Sequence, residues 1–174
     1  MKPEDRIKMY QTFTDLGRKW SSVMDTKAGF ISTVNLALIG FIWSGAKLGD
    51  TTGWPHRLGL SATLLALVSL YLAIKVVLPR TTLAHAFGAP LEYTKNHKAI
   101  SFYGYVAANY PHQEHSNFIA DVNAMSEEDF AREALEQHFT ISHIVQTKSD
   151  GIVRSGIIWL LAIACTAVAL AIKG

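Results

Sequence analysis

A single cysteine, Cys165, is all that 174 residues supply, so the chain can build neither an intrachain disulfide nor a thiolate metal cluster. It lies inside an apolar run, where it reads as a small packing residue. Charge is also scarce: Asp, Glu, Lys and Arg make up 17% of the chain against 49% hydrophobic residues, with a formal net charge of +2. There is no run or helical stripe of Lys and Arg, which sets nucleic-acid binding aside. The seven histidines fall into no ligand pattern. His112 and His115 stand at a loop spacing, and His138 and His143 are too far round a helix to share a face. No HExxH or cysteine pair accompanies them. A GxSxG elbow, a P-loop and a dinucleotide glycine pattern are absent as well. The chain is therefore read as no enzyme of a known motif class, with no metal and no cofactor. A secretory signal is missing too: 27 residues of mixed charge precede the first apolar run, so that run is expected to stay in the mature protein.

What the chain does have is three apolar stretches clean of charge. Ala28 to Ala46, AGFISTVNLALIGFIWSGA, holds no Asp, Glu, Lys, Arg or His; as a helix it reaches about 30 Å, the thickness of a bilayer core. Leu58 to Ile74 and Ser155 to Ile172 behave alike. A buried core helix of this length usually shows one polar stripe, whereas polarity here is confined to isolated Ser, Thr, Gly and Asn35. The expected fold is an all-α membrane protein: three transmembrane helices over 28–46, 58–77 and 153–173, an amphipathic N-terminal helix over 1–27, and a cytoplasmic helical region over 80–150. A long C-terminal helix should continue into the third span, the whole forming one unit over 1–174.

Basic residues crowd the N-terminus and flank 80–154, which puts both on the cytoplasmic side and the 47–57 loop and C-terminus outside. Trp43 and Trp54 then suit an outer aromatic belt, and Trp20 an inner one.

Along the chain, Pro3-Glu4-Asp5 suits a first helical turn. Ile7, Tyr10, Phe13, Leu16, Trp20 and Val23 recur every three or four residues, an apolar face expected to pack on another cytoplasmic helix. Nothing between Lys19 and Ala28 forces a stop, so this helix should enter the first span directly or bend near Gly29. The 47–57 loop, with Gly49, Asp50, Gly53 and Pro55, reads as a tight hairpin connection. Ala84 to Ala89 could extend span two, Ile100 to Ala107 is a β-like segment or a short helix, Asn109 to His115 is a polar loop, and Asn117 to Asn123 a brief helix. Ser126-Glu127-Glu128-Asp129 is a helix start. After it Phe130, Ala134, His138, Ile141 and Val145 share a face, with Glu133, Glu136 and Gln137 off it. No proline follows, so one helix could run to the end, bending if anywhere at Gly151 or Gly156.

Two groups of residues invite function. Asp25 and Lys27 sit at the inner mouth of span one, where a carboxylate is costly unless wet or paired, with Lys27, Lys148 or a neighbouring subunit as candidate partners. Phe102, Tyr103, Tyr105 and Tyr110, with Arg80, Lys95, Lys98 and Arg132, could offer a stacking face and a phosphate partner to a nucleotide. On the residues alone, the aromatic strip reads better as the surface by which this segment docks on the helices.

The order of parts carries a resemblance. An amphipathic helix leading through MDTKAGFISTVN into a span, a second span, the FYGYVA element, and ISHIVQTKSDGIVRSGIIW leading into a last span resemble the small membrane effectors of Pycsar antiphage defence. The markers are Asp25-Thr26-Lys27-Ala28 with Asn35, Phe102-Tyr103-Gly104, and Ser142 with Lys148. The resemblance implies an inner-membrane protein that responds to cyclic CMP or cyclic UMP from a partner pyrimidine cyclase and breaches the membrane, killing the infected cell. On the residues themselves, the small side chains Gly40, Ser44, Gly45, Ser61, Gly156, Ala162 and Ala167 could let spans pack closely in a homo-oligomer. The chain has no room for a separate cyclic-nucleotide-binding barrel, which leaves any pocket to the 81–125 segment and its neighbouring helices. The competing readings are a small membrane scaffold holding a cytoplasmic partner and, less well supported by spans without ionisable residues, a channel or transporter.

Overall fold

The computed structural model describes residues 2–78, 106 and 109–174. Among these, 91% are helical and none lies in a strand. The helices are α1 (Pro3–Gly40), α2 (Trp54–Val77), α3 (His115–Asn123) and α4 (Glu127–Lys173). Three of them are long and apolar enough to cross a membrane, the best windows of α1, α2 and α4 reaching mean hydropathies of 1.5, 2.1 and 2.3. The all-α membrane class expected from the sequence is the one found.

α1 opens on Pro3 with Glu4 and Asp5 in its first turn and passes Gly29 without a break. It loosens only at Phe41–Gly45, a π-helical turn closed by Ala46 N–H donating to Phe41 O at 2.7 Å. Lys47 then takes a left-handed φ of 47° and ends the helix. The connection to α2 is more than a tight hairpin. It makes a 3-10 turn at Leu48–Asp50, and Leu48 is fully buried beside Ile42. Gly53, at φ 73°, supplies the backbone that a side chain would resist. Pro55 in the first turn then lets α2 start at Trp54, a turn before the charge-free run.

α4 begins with a reciprocal cap: Asp129 N–H donates to Ser126 Oγ at 3.2 Å, and Ser126 N–H and Oγ–H donate to Asp129 Oδ2 at 3.0 and 2.6 Å. It continues for 47 residues, unbroken at Gly151 and Gly156. Gly151 serves close approach rather than bending, since a Cβ there would stand 2.7 Å from Val76 Cγ2. The expected brief helix is present as α3, preceded by a 3-10 turn at His112–Glu114 where a loop was expected. The expectations for Ala84 to Ala89 and, Val106 aside, for Ile100 to Ala107 lie outside the described residues.

The three long helices turn inward on a seven-residue period. In α1 the positions 7, 14, 21, 28 and 35, with 10, 17, 24, 31 and 38, are all buried or half-buried, as is Ile42 in the π-helical turn that follows. In α2 the buried set is Gly59, Ala62, Ala66, Ser69, Ala73 and Val76. In α4 positions 131, 138, 145, 152, 159 and 166, with 134, 141, 148, 155, 162 and 169, are likewise covered. Alternating steps of three and four are the seam of left-handed supercoiled helices.

Two expectations are corrected by this seam. The apolar run of α1 coincides with it at Ile7 and Tyr10, then slips by one residue, about 100° of turn. Phe13, Leu16, Trp20 and Val23 are consequently 41–53% exposed, and Thr14, Met24 and Ala28 are buried in their place. On α4, Glu133 was expected off the covered face but is only 3% exposed.

Within the chain, contacts gather into two compact units. One comprises Met1–Lys19 and Pro79–His143, the other Trp20–Leu78 and Ile144–Gly174. Both contain part of α1 and part of α4. In the second, Ile42, Ala46, Leu48, Ala62 and Ala169 form a core cluster, while Phe30, Leu36, Leu64 and Leu160 point outward at 58–65% exposure. Large apolar residues outside and an interior that is mostly small, Ile42 and Leu48 apart, is the arrangement of helices in lipid.

Candidate functional site

In the unit of Trp20–Leu78 and Ile144–Gly174, polar groups gather at three levels. At the first, Lys148 Nζ donates to both carboxylate oxygens of Asp25, at 2.6 and 2.8 Å. The Lys148 side chain is 12% exposed and Asp25 38%. Lys148 occupies a seam position, so its stem is covered and its charge is delivered to the carboxylate. Lys27, two residues beyond Asp25, is exposed and makes no ion pair with it.

The second level is a fully buried layer of one side chain from each long helix. Asn35 Nδ2 donates to Ser69 Oγ at 2.9 Å and to Ile31 O at 2.8 Å. Ser69 Oγ–H donates to Ser155 O at 2.8 Å, and Ser155 Oγ–H returns a bond to Ser69 O at 2.7 Å. The two serines thus clasp α2 and α4 reciprocally, each hydroxyl bonded to the other helix's backbone. Asn35 Oδ1 has no hydrogen-bond partner. At the third level Lys173 Nζ donates to Ala46 O at 2.6 Å, meeting the negative end of the first span's helix. Trp43 Nε1 donates to Thr63 Oγ1 at 3.0 Å, and Trp54 is 67% exposed.

The unit of Met1–Lys19 and Pro79–His143 is built differently. It contains a cavity of about 440 Å³ between three helices. α1 contributes Ile7 and Gln11, α3 Phe118 and Val122, and α4 Phe130, Glu133, Ala134 and Gln137. The wall is apolar apart from one carboxylate and two carboxamides. Phe118 is held by the ring of Tyr110, 5.2 Å away and edge-on at 70°, and Tyr110 Oη–H donates to Asp121 at 2.6 Å. α3 itself has no buried residue. On the same seam, Thr14 Oγ1 and His138 Nδ1 are buried without a partner. The Arg6 guanidinium pairs with both oxygens of Glu128, anchoring the start of α1 to the start of α4.

Of the candidate nucleotide residues, Arg132 is exposed on α4; Arg80, Lys95, Lys98, Phe102, Tyr103 and Tyr105 lie outside the described residues. No cluster able to hold a metal ion occurs among the described residues. Sequence reasoning passed over Gln11, Glu133 and Gln137 in the cavity and Ser69 and Ser155 in the clasp. The signal that finds the serines, and places Gln11, Glu133 and Gln137 beside the covered seam, is the seven-residue period once its register is known.

Three long apolar helices, joined to a polar helical unit, define a multi-pass helical membrane protein. The model of the Pycsar effector protein domain matches residues 9–173, which takes in both units, and the chain belongs to that family of antiphage defence effectors. No curated protein and no solved structure matches the chain.

Proposed function

We propose that the protein is the membrane-breaching arm of a Pycsar system: it responds to cyclic CMP or cyclic UMP made by a partner cyclase and impairs the inner membrane, so that the infected cell dies before phage mature. The observation that carries this reading is the family match over 9–173, taken with three helices long enough to span a bilayer. In this reading the N-terminus and 80–154 are cytoplasmic, where a soluble nucleotide would meet them, and the C-terminus is periplasmic; the basic N-terminus and the basic flanks of 80–154 support that orientation.

A ligand shifts a conformational equilibrium only by binding one arrangement more tightly than another. α1 and α4 are each shared by both units, so a ligand that favours one packing of the polar unit acts on helices that continue as spans. Breaching a membrane with three spans per chain calls for several copies. Gly40, Ser44, Gly45, Ser61 and Ala167 are exposed on the spans and leave surfaces on which helices of a second copy can approach closely. Ala162 is instead used inside the chain.

The test is dye release from liposomes that carry the protein. Either cyclic CMP or cyclic UMP should empty them, with cyclic AMP as a control; retention of the dye with both pyrimidine nucleotides removes the reading.

A further inference from the structure

At the end of the spans where Asp25 meets Lys148, two exposed cations stand on the outer surface of their helices, Lys75 on α2 and Arg154 on α4. Neither has a hydrogen-bond or ion-pair partner among the described residues. Asp150, one turn before Arg154, is taken by Gln146 Nε2 at 2.9 Å. Arg154 is the costlier of the two cations. It precedes Ser155, which bonds Ser69, and Ser69 lies five residues inside the charge-free run of α2 that ends at Ile74. At 1.5 Å per residue that is a depth of about 8 Å. An unpaired guanidinium on a lipid-facing surface there is stable only when its long side chain brings the charge to an anion or to water.

The packing of α2 on α4 decides where that anion stands. Ser69 meets α4 at Ser155 and Val76 meets it at Gly151, so the two helices run antiparallel. Lys75 precedes Val76 and Arg154 precedes Ser155, each turned about 100° from its contact. In antiparallel helices the same offset turns both side chains to the same side of the groove. Tyr71, one turn deeper than Lys75 on that flank, is 57% exposed, and its hydroxyl bonds no described residue. Val68 and Leu161, seven residues into the apolar zone from Lys75 and from Arg154, are 41% and 52% exposed.

We propose that this groove binds an anionic phospholipid, with Lys75 and Arg154 holding its phosphate. The guanidinium matches the free oxygens of a phosphodiester with its planar fork, and the ammonium adds a point charge. The Tyr71 hydroxyl is placed to donate to an ester carbonyl of the glycerol, and Val68 and Leu161 wall the acyl chains. Inorganic phosphate and a cyclic nucleotide share the anionic group, but neither has a chain for that wall. The site needs a bilayer around the spans and no nucleotide response; in the orientation proposed above the lipid belongs to the inner leaflet.

Native mass spectrometry of the full chain in detergent micelles, titrated with phosphatidylglycerol or phosphatidylcholine of the same acyl chains, reads the affinity of each lipid. The anionic lipid should bind at least about fivefold more tightly, and Lys75→Gln and Arg154→Gln should each weaken it by about fivefold, the scale of one cation at an anionic headgroup. The double variant should lose the preference, while Lys27→Gln, on α1, should keep it. All three side chains are exposed, so their replacement leaves the packing alone. Phosphatidylglycerol with a diazirine beside its headgroup, irradiated on the wild-type chain, should crosslink to the peptides holding Tyr71 and Lys75 or Arg154. Equal binding of the two lipids, a preference that survives in the double variant, a loss as large at Lys27, or a crosslink confined to α1 overturns the assignment. Displacement of the lipid by millimolar inorganic phosphate or cyclic CMP gives the groove to a free phosphate and overturns it as well. The dye-release test stands or falls separately from all of these.

Discussion

Along the same two helices, the fully buried seam positions in the unit of Trp20–Leu78 and Ile144–Gly174 are Ala28, Asn35, Ser155, Ala162 and Ala169. In the other unit no seam position is fully buried among Ile7, Tyr10, Thr14, Gly17, Ala131, Ala134, His138 and Ile141, and a cavity lies next to them. The difference follows from the solvent. Lipid tails give apolar helices no reason to leave them for each other, so association in a bilayer depends on close backbone approach and on hydrogen bonds between helices. Small residues and the Asn35–Ser69–Ser155 layer supply both. In water the hydrophobic effect holds helices together even where packing is incomplete, and a polar-floored cavity can persist. The first unit is tied across its helices by small residues and hydrogen bonds, and the second leaves a cavity lined mostly by apolar side chains.

The strongest way to break this comparison is to overfill the sealed unit. Ser69→Leu adds bulk at a site with no exposed surface and removes the hydroxyl that accepts from Asn35 Nδ2 and donates to Ser155 O. It should cost about 3 kcal/mol in unfolding by denaturing detergent, while Leu64→Ala on the lipid face should cost little. Equal effects would mean that the interior of the spans is not close-packed.

Next in size is the ion pair. Asp25→Asn leaves the Lys148 ammonium, 12% exposed, without its carboxylate. The loss should be about 2 kcal/mol, below that of a fully buried pair because Asp25 is itself in part solvated. Lys148→Met on the Asp25→Asn background should recover most of it. A smaller contrast lies between two glycines of α1. A Cβ at Gly17 would stand 2.5 Å from Ile141 Cγ2, whereas at Gly29 it would meet nothing within 4 Å. Gly17→Ala should therefore destabilise by about 1.5 kcal/mol and Gly29→Ala should not. The Gly17 result would show that the polar unit is tightly packed at the level of Ile141 even though it is hollow beside Glu133.

The spans, the long last helix, its start at Ser126 and the face bearing Ala134, His138, Ile141 and Val145 were legible in the sequence, because charge-free length and capping chemistry are local signals. The covered face of α1 was not. Its seam is marked by Thr14, Gly17, Ser21 and Asn35, residues that hydropathy scores as neutral or polar, while the larger Phe13, Leu16 and Trp20 one position away draw the eye to the wrong side. Asp25 announced itself by its cost at a membrane mouth, but three partners were open to it, and only the position of Lys148 on the seam of α4 decides among them. Glu133 was illegible for the same reason as Thr14: nothing local distinguishes a carboxylate that lines a cavity from one that faces water.

The smallest expected effect tests the local end of that contrast. Ser126 Oγ accepts from Asp129 N–H, and the Asp129 carboxylate accepts in turn from Ser126 N–H and Oγ–H. Ser126→Ala removes the cap's hydroxyl but leaves the carboxylate near the positive end of α4, where Glu127 and Glu128 also lie in the first turn. The loss should be about 1 kcal/mol, and it should fall on the first turns of α4, read as faster amide hydrogen exchange near Phe130. Because the Arg6–Glu128 pair and the Phe130 wall of the cavity sit on those turns, fraying there should loosen the polar unit. The 148–173 stretch of α4, held by the serine clasp and the two lysines, should exchange as slowly as before.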